Sequence, residues 1–532
     1  MSTVQTSDVL IIGAGHNGLI AAVYLVIAGY SVRILEGQDR PGGAAVTEEF
    51  APDYYVSTCA HLLDGWSRQI EKDLKLHKLD FEMAARTTTT TALDRDGRHL
   101  VLPAQKREDI QLIAEHSSAD AGAYPDFRNK MDRFAATLAP LLNQPVPAFG
   151  PNGDTAASQK LASSLAWRVQ KMSNADRHDW LRFQGNSIAN ELDRTFESDL
   201  LKGAIAFDAT FSHAMGASTP GSAFALAYKG ALRYSSKGAM ANPAGGMGAF
   251  TDALIEASSQ HGAELQTNCR VSKLLVEDER ISGAELSDGT RYEAKVVLSS
   301  ASARTTYLDM LGPQHVQPAM QRRLMRIRKT GTVAKMHLAL EGLPHIENCA
   351  EREYGGRMII APSVGHVDQA FAACKRGQIP DEPVMEVFLP SFHDYRLAPP
   401  GHHVMSIIVP FVPYDVEGGW KAQEEVFTKR IVDTLSTYAT DIKLKIIAGD
   451  TLTPPKIEKQ FGLGVGGWHQ GDMTFDQAFA FRPAPGLAHQ GPVDGLFLCG
   501  AAAHPGGGMT GLPGKLAAEQ AMSFLKEGGK DD

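Results

Sequence analysis

Val9-Leu10-Ile11-Ile12-Gly13-Ala14-Gly15-His16-Asn17-Gly18-Leu19, followed through Gly29 to Val32-Arg33-Ile34-Leu35-Glu36, decides the fold. Four apolar residues in a row predict a buried parallel strand. Leu19 to Ala28 predicts a buried helix with Gly29 as its C-cap. Val32 to Glu36 predicts a second strand, so residues 9–36 form one βαβ unit. Gly13, Gly15 and Gly18 stand at the turn of that unit in the order GxGxxG. The first allows the tight turn, the second lets backbone approach a pyrophosphate, and the third lets helix and strand pack closely. Unpaired N–H groups at the helix N-terminus face the phosphates. Glu36 ends the second strand, where a carboxylate takes ribose hydroxyls and disfavours the 2′-phosphate of NADP.

Two later blocks continue this domain. From Pro243 to Ala303 the sequence predicts a helix (Gly248 to Gln260) and a short strand (264–266). Strands Val271 to Val276 and Ile281 to Leu286, the turn Ser287-Asp288-Gly289, Arg291 to Ala294 and Lys295 to Ser299 follow. From Gly495 it predicts a strand (Leu496 to Cys499), a glycine-rich turn and a closing helix (Leu516 to Leu525). The expected class is α/β: a doubly wound, Rossmann-like FAD-binding domain with a discontinuous α+β substrate domain. The FAD-binding segments are 1–64, 241–304 and 486–532; the substrate segments are 65–240 and 305–485. Asn143 to Ser158, rich in Pro and Gly, reads as a surface loop, and the Thr87 to Thr91 run as a strand.

Composition narrows the function. The 532 residues are 43% apolar and 21% charged, with 52 Lys and Arg against 61 Asp and Glu, a net charge of −9. Such a chain is globular and lacks the basic footprint of a nucleic-acid binder. Cys59, Cys269, Cys349, Cys374 and Cys499 are scattered, with no CxxC pair, so neither a disulfide framework, a redox dithiol nor a metal site is expected. No apolar run reaches a membrane span, and Met1 to Ser7 carries no signal-peptide pattern. The compartment expected is cytoplasmic. Arg322 to Lys329, basic and interleaved with apolar residues, reads as a solvated helix face, with a peripheral membrane contact as the alternative; Leu161 to Trp167 is a weaker amphipathic stretch.

GxGxxG recurs at Gly462, Gly464 and Gly467, but no buried strand precedes it and no helix follows. With no second nucleotide domain, the cofactor expected is a flavin rather than FAD with NAD. Arg40-Pro41-Gly42-Gly43-Ala44 brings more backbone N–H groups beside the first loop. Gly500-Ala501-Ala502-Ala503-His504-Pro505-Gly506-Gly507-Gly508-Met509-Thr510-Gly511 lets a flat ring lie on backbone, and the following helix dipole suits negative charge on a reduced flavin.

At these residues the chain resembles the phytoene-desaturase-like FAD-dependent oxidoreductases. It is closest in pattern to the branch called pyridine nucleotide-disulfide oxidoreductase domain-containing protein 2, whose late segment is similar to Gly466-Gly467-Trp468-His469-Gln470-Gly471-Asp472-Met473. The resemblance implies that Gly13, Gly15, Gly18, Glu36, Gly42 and Gly43 hold the ADP half and pyrophosphate of FAD. It implies that Val271 meets the adenine side through its backbone. Gly500, Gly508, Met509 and Thr510 would lie along the ribityl chain and ring. Amine-oxidase relatives usually carry Arg after the paired glycines, where this chain has Ala44.

His469, His61 and His504 are the candidate catalytic side chains, with His213 behind them; no spacing among them demands a base or a metal. Trp468, His469 and Met473 are expected on the substrate side of the flavin. The function expected is that of an FAD-dependent dehydrogenase or desaturase passing hydride from an apolar small molecule to flavin N5; the electron acceptor stays open, with oxygen and a quinone as candidates. Two alternatives stay open: oxidation of a C–N bond, which an acidic or aromatic pocket would favour, and a flavin-binding partner protein with little catalysis. The sequence does not fix the oligomeric state.

Overall fold

The computed structural model describes residues 5–102, 109–147, 155–327, 332–464 and 467–528. Gly466, Arg328, Lys329, Met1 to Val4 and residues 148–154 of the Pro/Gly-rich stretch lie outside the described residues.

The strand Gln5–Ile12 is the centre of the first sheet. Its apolar run serves two cores, because successive side chains point to opposite faces. Val9 and Ile11 enter one hydrophobic cluster, Leu10 and Ile12 another. Strands 264–266, Val32–Leu35, Gln5–Ile12, Arg291–Ser299, Arg280–Leu286 and Val271–Glu277 lie in that order. The first four are mutually parallel, and Leu496–Leu498 joins the end of Arg291–Ser299 in parallel. Arg291–Ser299 is one strand where the sequence suggests two. No turn residue interrupts it, and Lys295 simply takes its place on the exposed side of the alternation.

Helices His16–Ile27, Gly246–Gln260 and Leu512–Gly528 cover one face. Close approach explains two glycines. A Cβ on Gly18 would stand 2.3 Å from the carbonyl oxygen of Gly13, and one on Gly514 would stand 2.1 Å from that of Asn17. The first helix therefore starts against the loop backbone, and the closing helix against the first turn of the first helix.

A second seven-stranded sheet runs in the order Ile446–Leu452, Val333–Leu340, His403–Pro410, Met385–Phe388, Arg357–Ile360, Thr90–Ala92, Leu100–Leu102. Both long intervals between the dinucleotide blocks contribute strands to it. One face is apolar throughout: Met336, Leu338, Met358, Val387 and Ile407 share a core. The other face, set by the same period of two, carries Lys335, Glu386, Arg357 and Ser406 among buried neighbours. Helices Ser118–Leu142, Asn174–Gly185, Asp199–Thr210 and Ser222–Leu232 pack beyond it.

Helix Pro318–Met325 carries the described part of the basic stretch. It buries Met320 and Leu324 against the protein, and Arg323 donates to the carbonyl of Pro485. Its apolar face is thus already used. Helix Thr155–Gln170, which holds Leu161 to Trp167, buries none of its residues. The second GxGxxG follows a helix, Pro454–Phe461, and Gly462 is that helix's left-handed C-cap. Among the described residues no helix is long and apolar enough to cross a membrane, and no group of His, Cys, Asp or Glu is arranged to hold a metal ion.

Candidate functional site

A cavity of about 810 Å³ lies between the two sheets. Gly13, Gly15, Glu36, Gly43, Val271, Gly500, Gly508, Met509, His61 and His469 all line it. Three separate sequence blocks thus converge on one space. Gly42 donates its N–H to the carbonyl of Ala14 at 2.9 Å and bridges to Gly15, which presses the paired glycines onto the first loop. A Cβ on Gly43 would come within 3.1 Å of the Gly15 Cα, and Gly43 has φ +59. Gly15 faces open space: a Cβ there would meet nothing within 4 Å.

Glu36 is 8% exposed, and both its oxygens are held. Oε2 accepts from the Ala14 N–H at 2.7 Å and Oε1 from the Gln38 N–H at 2.9 Å. The carboxylate is fixed at the cavity edge with lone pairs left for ribose hydroxyls. Trp468 Nε1, His469 Nδ1 and Gln470 Oε1 are buried, line the cavity and have no hydrogen-bond partner among the described residues. Orphaned polar atoms beside a glycine-rich cradle are what a polar, flat cofactor would satisfy. The residues present fit FAD.

Gly18, Gly42, Thr510, Met473 and His504 do not line the cavity. Gly18 and Gly42 act from behind the loop, as above. The Thr510 hydroxyl accepts from the Leu512 N–H at 3.3 Å, at the start of the closing helix. Met473 is in the helical core, with its N–H donating to His213 Nδ1 at 3.4 Å. His504 is wholly buried. Its Nε2 meets the carbonyl of Leu141 at 3.2 Å, and its ring lies beside Phe479 and His489. That placement is structural and gives His504 no access to a substrate. His469 packs directly on the glycine turn, since a Cβ on Gly507 would be 2.5 Å from its ring. Arg482 fixes this contact: its guanidinium donates to the carbonyls of Ala501 (2.6 Å), Asp472 (2.8 Å) and His469.

Of the wall opposite the glycine turns, His61 was expected from the sequence and its charged partners were not. His61 Nε2 is 2.8 Å from Glu386 Oε1, and His61 Nδ1 is 3.0 Å from Lys335 Nζ and 3.1 Å from the Ser406 hydroxyl. Lys335 Nζ also donates to the carbonyl of Cys59 at 2.8 Å. Arg357 Nε donates to Glu386, and its Nη2 to Asp208 at 2.6 Å. Lys229 reaches Asp208 at 2.9 Å, and Arg233 pairs with Asp64 at 2.6 Å. The chain of charges is continuous. Its signal was in the sequence: single charged residues at Lys335, Arg357 and Glu386 inside otherwise apolar strands.

Burial sets the protonation. It pushes His61 down to about 4, with the Lys335 charge adding and Glu386 opposing. Burial likewise pushes His469 down to about 3, helped by Arg482 and Lys229. Both rings are neutral at pH 7. Burial would raise Glu386, but Arg357 and then His61 hold it below the ordinary carboxylate range. Lys335, 0% exposed, is pushed down to about 7 by burial, against the pull of Cys59 and Glu386. The Cys59 thiol is pushed up to about 12 by burial and stays protonated. All five cysteines are unpaired.

The Lys335 value has a consequence for stability. An unfolded lysine titrates near 10.5, so between about 7 and 10.5 the unfolded chain binds a proton that the folded chain does not. Stability therefore rises with pH across that window. Lys335→Met lacks this term. It is expected to be more stable than wild type at pH 7, on the order of several kcal/mol, with the gap closing towards pH 10. Melting temperatures measured across that range check the slope; a gap independent of pH would contradict it.

Residues 18–521 match the family model described as flavin containing amine oxidoreductase. The chain is 33% identical over 554 residues to pyridine nucleotide-disulfide oxidoreductase domain-containing protein 2 of Mus musculus, covering 98% of this chain and 94% of that one. It is 24% identical over 536 residues to the neurosporene-forming phytoene desaturase of Rhodobacter capsulatus, covering 96% and 93%. Among solved structures, an oxidoreductase from Methanosarcina mazei shares the fold, with a TM-score of 0.61 at 16% identity, over 97% of this chain and 99% of that one.

Proposed function

Because the chain belongs to the flavin-containing amine oxidoreductase family and is an FAD-dependent oxidoreductase, we propose that it is a dehydrogenase whose proton is taken up at the His61–Lys335 pair. The observation that carries this reading is the convergence on one cavity of the glycine loops, Glu36 and His61, with the buried amine of Lys335 3.0 Å behind the His61 ring. The flavin, when bound, supplies the hydride acceptor. Gly13, Gly15 and Gly43 would hold its pyrophosphate through backbone, Glu36 the ribose, and Val271 the adenine side. Gly500, Gly508 and Met509 would lie along the ring end.

The chain's own side chains do the rest. Trp468 and His469 orient the substrate against the glycine turn. Glu386, tied to Arg357, holds His61 with Nε2–H as donor, which leaves Nδ1 as acceptor for Lys335. Lys335 does not itself line the cavity; its link to that space is the His61 ring, through which its neutral amine takes up the proton. The division into FAD-binding segments (1–64, 241–304, 486–532) and substrate segments (65–240, 305–485) is part of the same proposal, supported by strands of both intervals meeting in one sheet.

The substrate class follows from the wall. Leu62, Phe211, Met240 and Ile408 give apolar surface, but Lys229, Arg233 and Arg357 line the same space. A cavity of about 810 Å³ has to hold the dinucleotide as well as the substrate. Pockets of roughly 300–1,000 Å³ suit one drug-sized ligand, which favours a small, partly polar substrate beside FAD.

With the first compound that bleaches the flavin anaerobically, the reduction rate should rise with pH through about 7 and should lose that rise in Lys335→Met. A wild-type rate flat across this region would remove Lys335 from the reaction. His469→Ala is expected to slow reduction by about 10–100-fold through lost positioning, with FAD content and melting temperature near wild type. If flavin content and stability fall in step with the rate, His469 is structural.

A further inference from the structure

Two arginines are almost wholly buried, and their partners differ in kind. Arg357 is tied to two carboxylates, Asp208 and Glu386. Arg482 makes no ion pair among the described residues, and every hydrogen bond of its guanidinium goes to a carbonyl oxygen. Nε and Nη2 donate to Ala501 at 3.0 and 2.6 Å, and Nη1 donates to Asp472 at 2.8 Å. Nη2 also donates to His469 and, at 3.5 Å, to Gly471. Carbonyl oxygens satisfy the N–H groups but leave the unit charge in place.

That charge stands directly behind the glycine turn. A Cβ on Gly506 would be 3.3 Å from Arg482 Cζ. Ala501, whose carbonyl takes two of the bonds, lines the cavity together with Gly500, Gly508 and Met509. Burial pushes Arg482 down to about 10, so it is cationic at neutral pH. Burial keeps the rings of His469 and His504 neutral, and the Arg482 charge acts on both in the same direction. Burial also raises the Tyr228 phenol, which stays protonated. Asp472 is the acid whose field reaches Arg482, and its Oδ1 accepts from the Ala214 N–H at 3.0 Å. The closing helix Leu512–Gly528 offers the same turn roughly half a unit charge through its dipole; the guanidinium offers a whole one.

We propose that Arg482 sets the reduction potential of the bound flavin: its fixed positive charge, held behind the 500–508 turn, favours the reduced, negatively charged ring over the oxidised one. The proposal rests on the placement of FAD given above. It adds a residue that acts through the field rather than by touching cofactor or substrate. Charges in a water-excluded wall act over several ångströms with little screening. A clamp that only joins the 469–472 segment to Ala501 would need the hydrogen bonds of Arg482 but not its charge.

The test equilibrates the full-length, FAD-loaded protein with a redox dye, anaerobically and at about pH 6. A lysine buried as deeply as Lys335, which is pushed down to about 7, keeps its proton there. Arg482→Gln should lower the equilibrium constant for flavin reduction on the order of tenfold, about 30 mV for the two-electron couple. Arg482→Lys breaks the same clamp but keeps the charge, and its potential should stay close to wild type. The other charged groups around the cavity, acids and bases alike, stay in place in both variants, so the difference between them reads this one cation. An equal fall in both variants, or no fall in Arg482→Gln, would overturn the proposal. If neither variant holds FAD, wild type decides. Its potential should change with pH by one proton per two electrons down to about pH 6; uptake of a second proton, as free reduced flavin shows just below neutrality, would overturn the proposal. A wild-type protein that takes up no FAD would instead overturn the placement of the cofactor.

Discussion

Arg357→Met is expected to destabilise the protein by about 3–5 kcal/mol, a large effect for a side chain that a sequence pattern would place in an ordinary strand. Arg357 is 2% exposed and joins two carboxylates. Removing it leaves Asp208 with Lys229 and the more distant Arg233, and Glu386 with only a neutral His61. Both acids then face the cost of buried, under-compensated charge, and their protonation at neutral pH is the route of relief. The loss should consequently shrink as pH falls. In wild type both carboxyls are held below the ordinary range, so their stabilising contribution is present above about pH 4.5 and is lost as pH falls. Urea midpoints of apo and FAD-loaded protein check this. A surface control, Lys202→Met, removes only exposed pairs with Asp193 and Asp199 and should cost less than about 1 kcal/mol. Equal midpoints for the two variants would mean that the network contributes nothing.

Glu36→Ala should weaken FAD by removing charge-assisted hydrogen bonds of about 1.5–3 kcal/mol each. From the sequence, Glu36→Gln is the milder change. The structure removes that advantage. Both carboxylate oxygens accept backbone N–H groups, from Ala14 and Gln38. An amide offers one acceptor and one donor, so Gln must turn its NH₂ against one of these N–H groups and disturb the first glycine loop. Equilibrium dialysis is expected to give an FAD affinity for Glu36→Gln close to that of Glu36→Ala, each roughly 10–100-fold below wild type. Wild-type retention of FAD by either variant would take the ribose away from Glu36.

The dinucleotide half was legible because its signals are local. Val9 to Ile12, the spacing of Gly13, Gly15 and Gly18, and Glu36 lie within one βαβ unit, and each demands a specific backbone event. The glycine turn at 500–511 was legible for the same reason. The substrate wall was not. His61, Lys335, Arg357 and Glu386 come from four separate segments, and only the alternation within Val333–Leu340, Arg357–Ile360 and Met385–Phe388 brings the last three to one face. A lone Lys in an apolar run reads as an error of pattern until its partners are known. His504 misled in the opposite way. It sits inside the glycine-rich motif, yet the turn aims it at Leu141 rather than at the cavity. Met473 likewise faces the helical core although its segment neighbours Trp468 and His469 line the site.

The central claim, an FAD-dependent dehydrogenase acting on a small molecule in this cavity, is met most directly by anaerobic bleaching of the purified full-length protein. The panel contains small carboxylates, amines, alcohols and the reduced nicotinamide nucleotides. The account predicts a yellow protein that releases FAD on acid precipitation and whose flavin is bleached by a small molecule of the panel, not by NADH or NADPH. A flavin bleached by NADH or NADPH and by no other compound would contradict it.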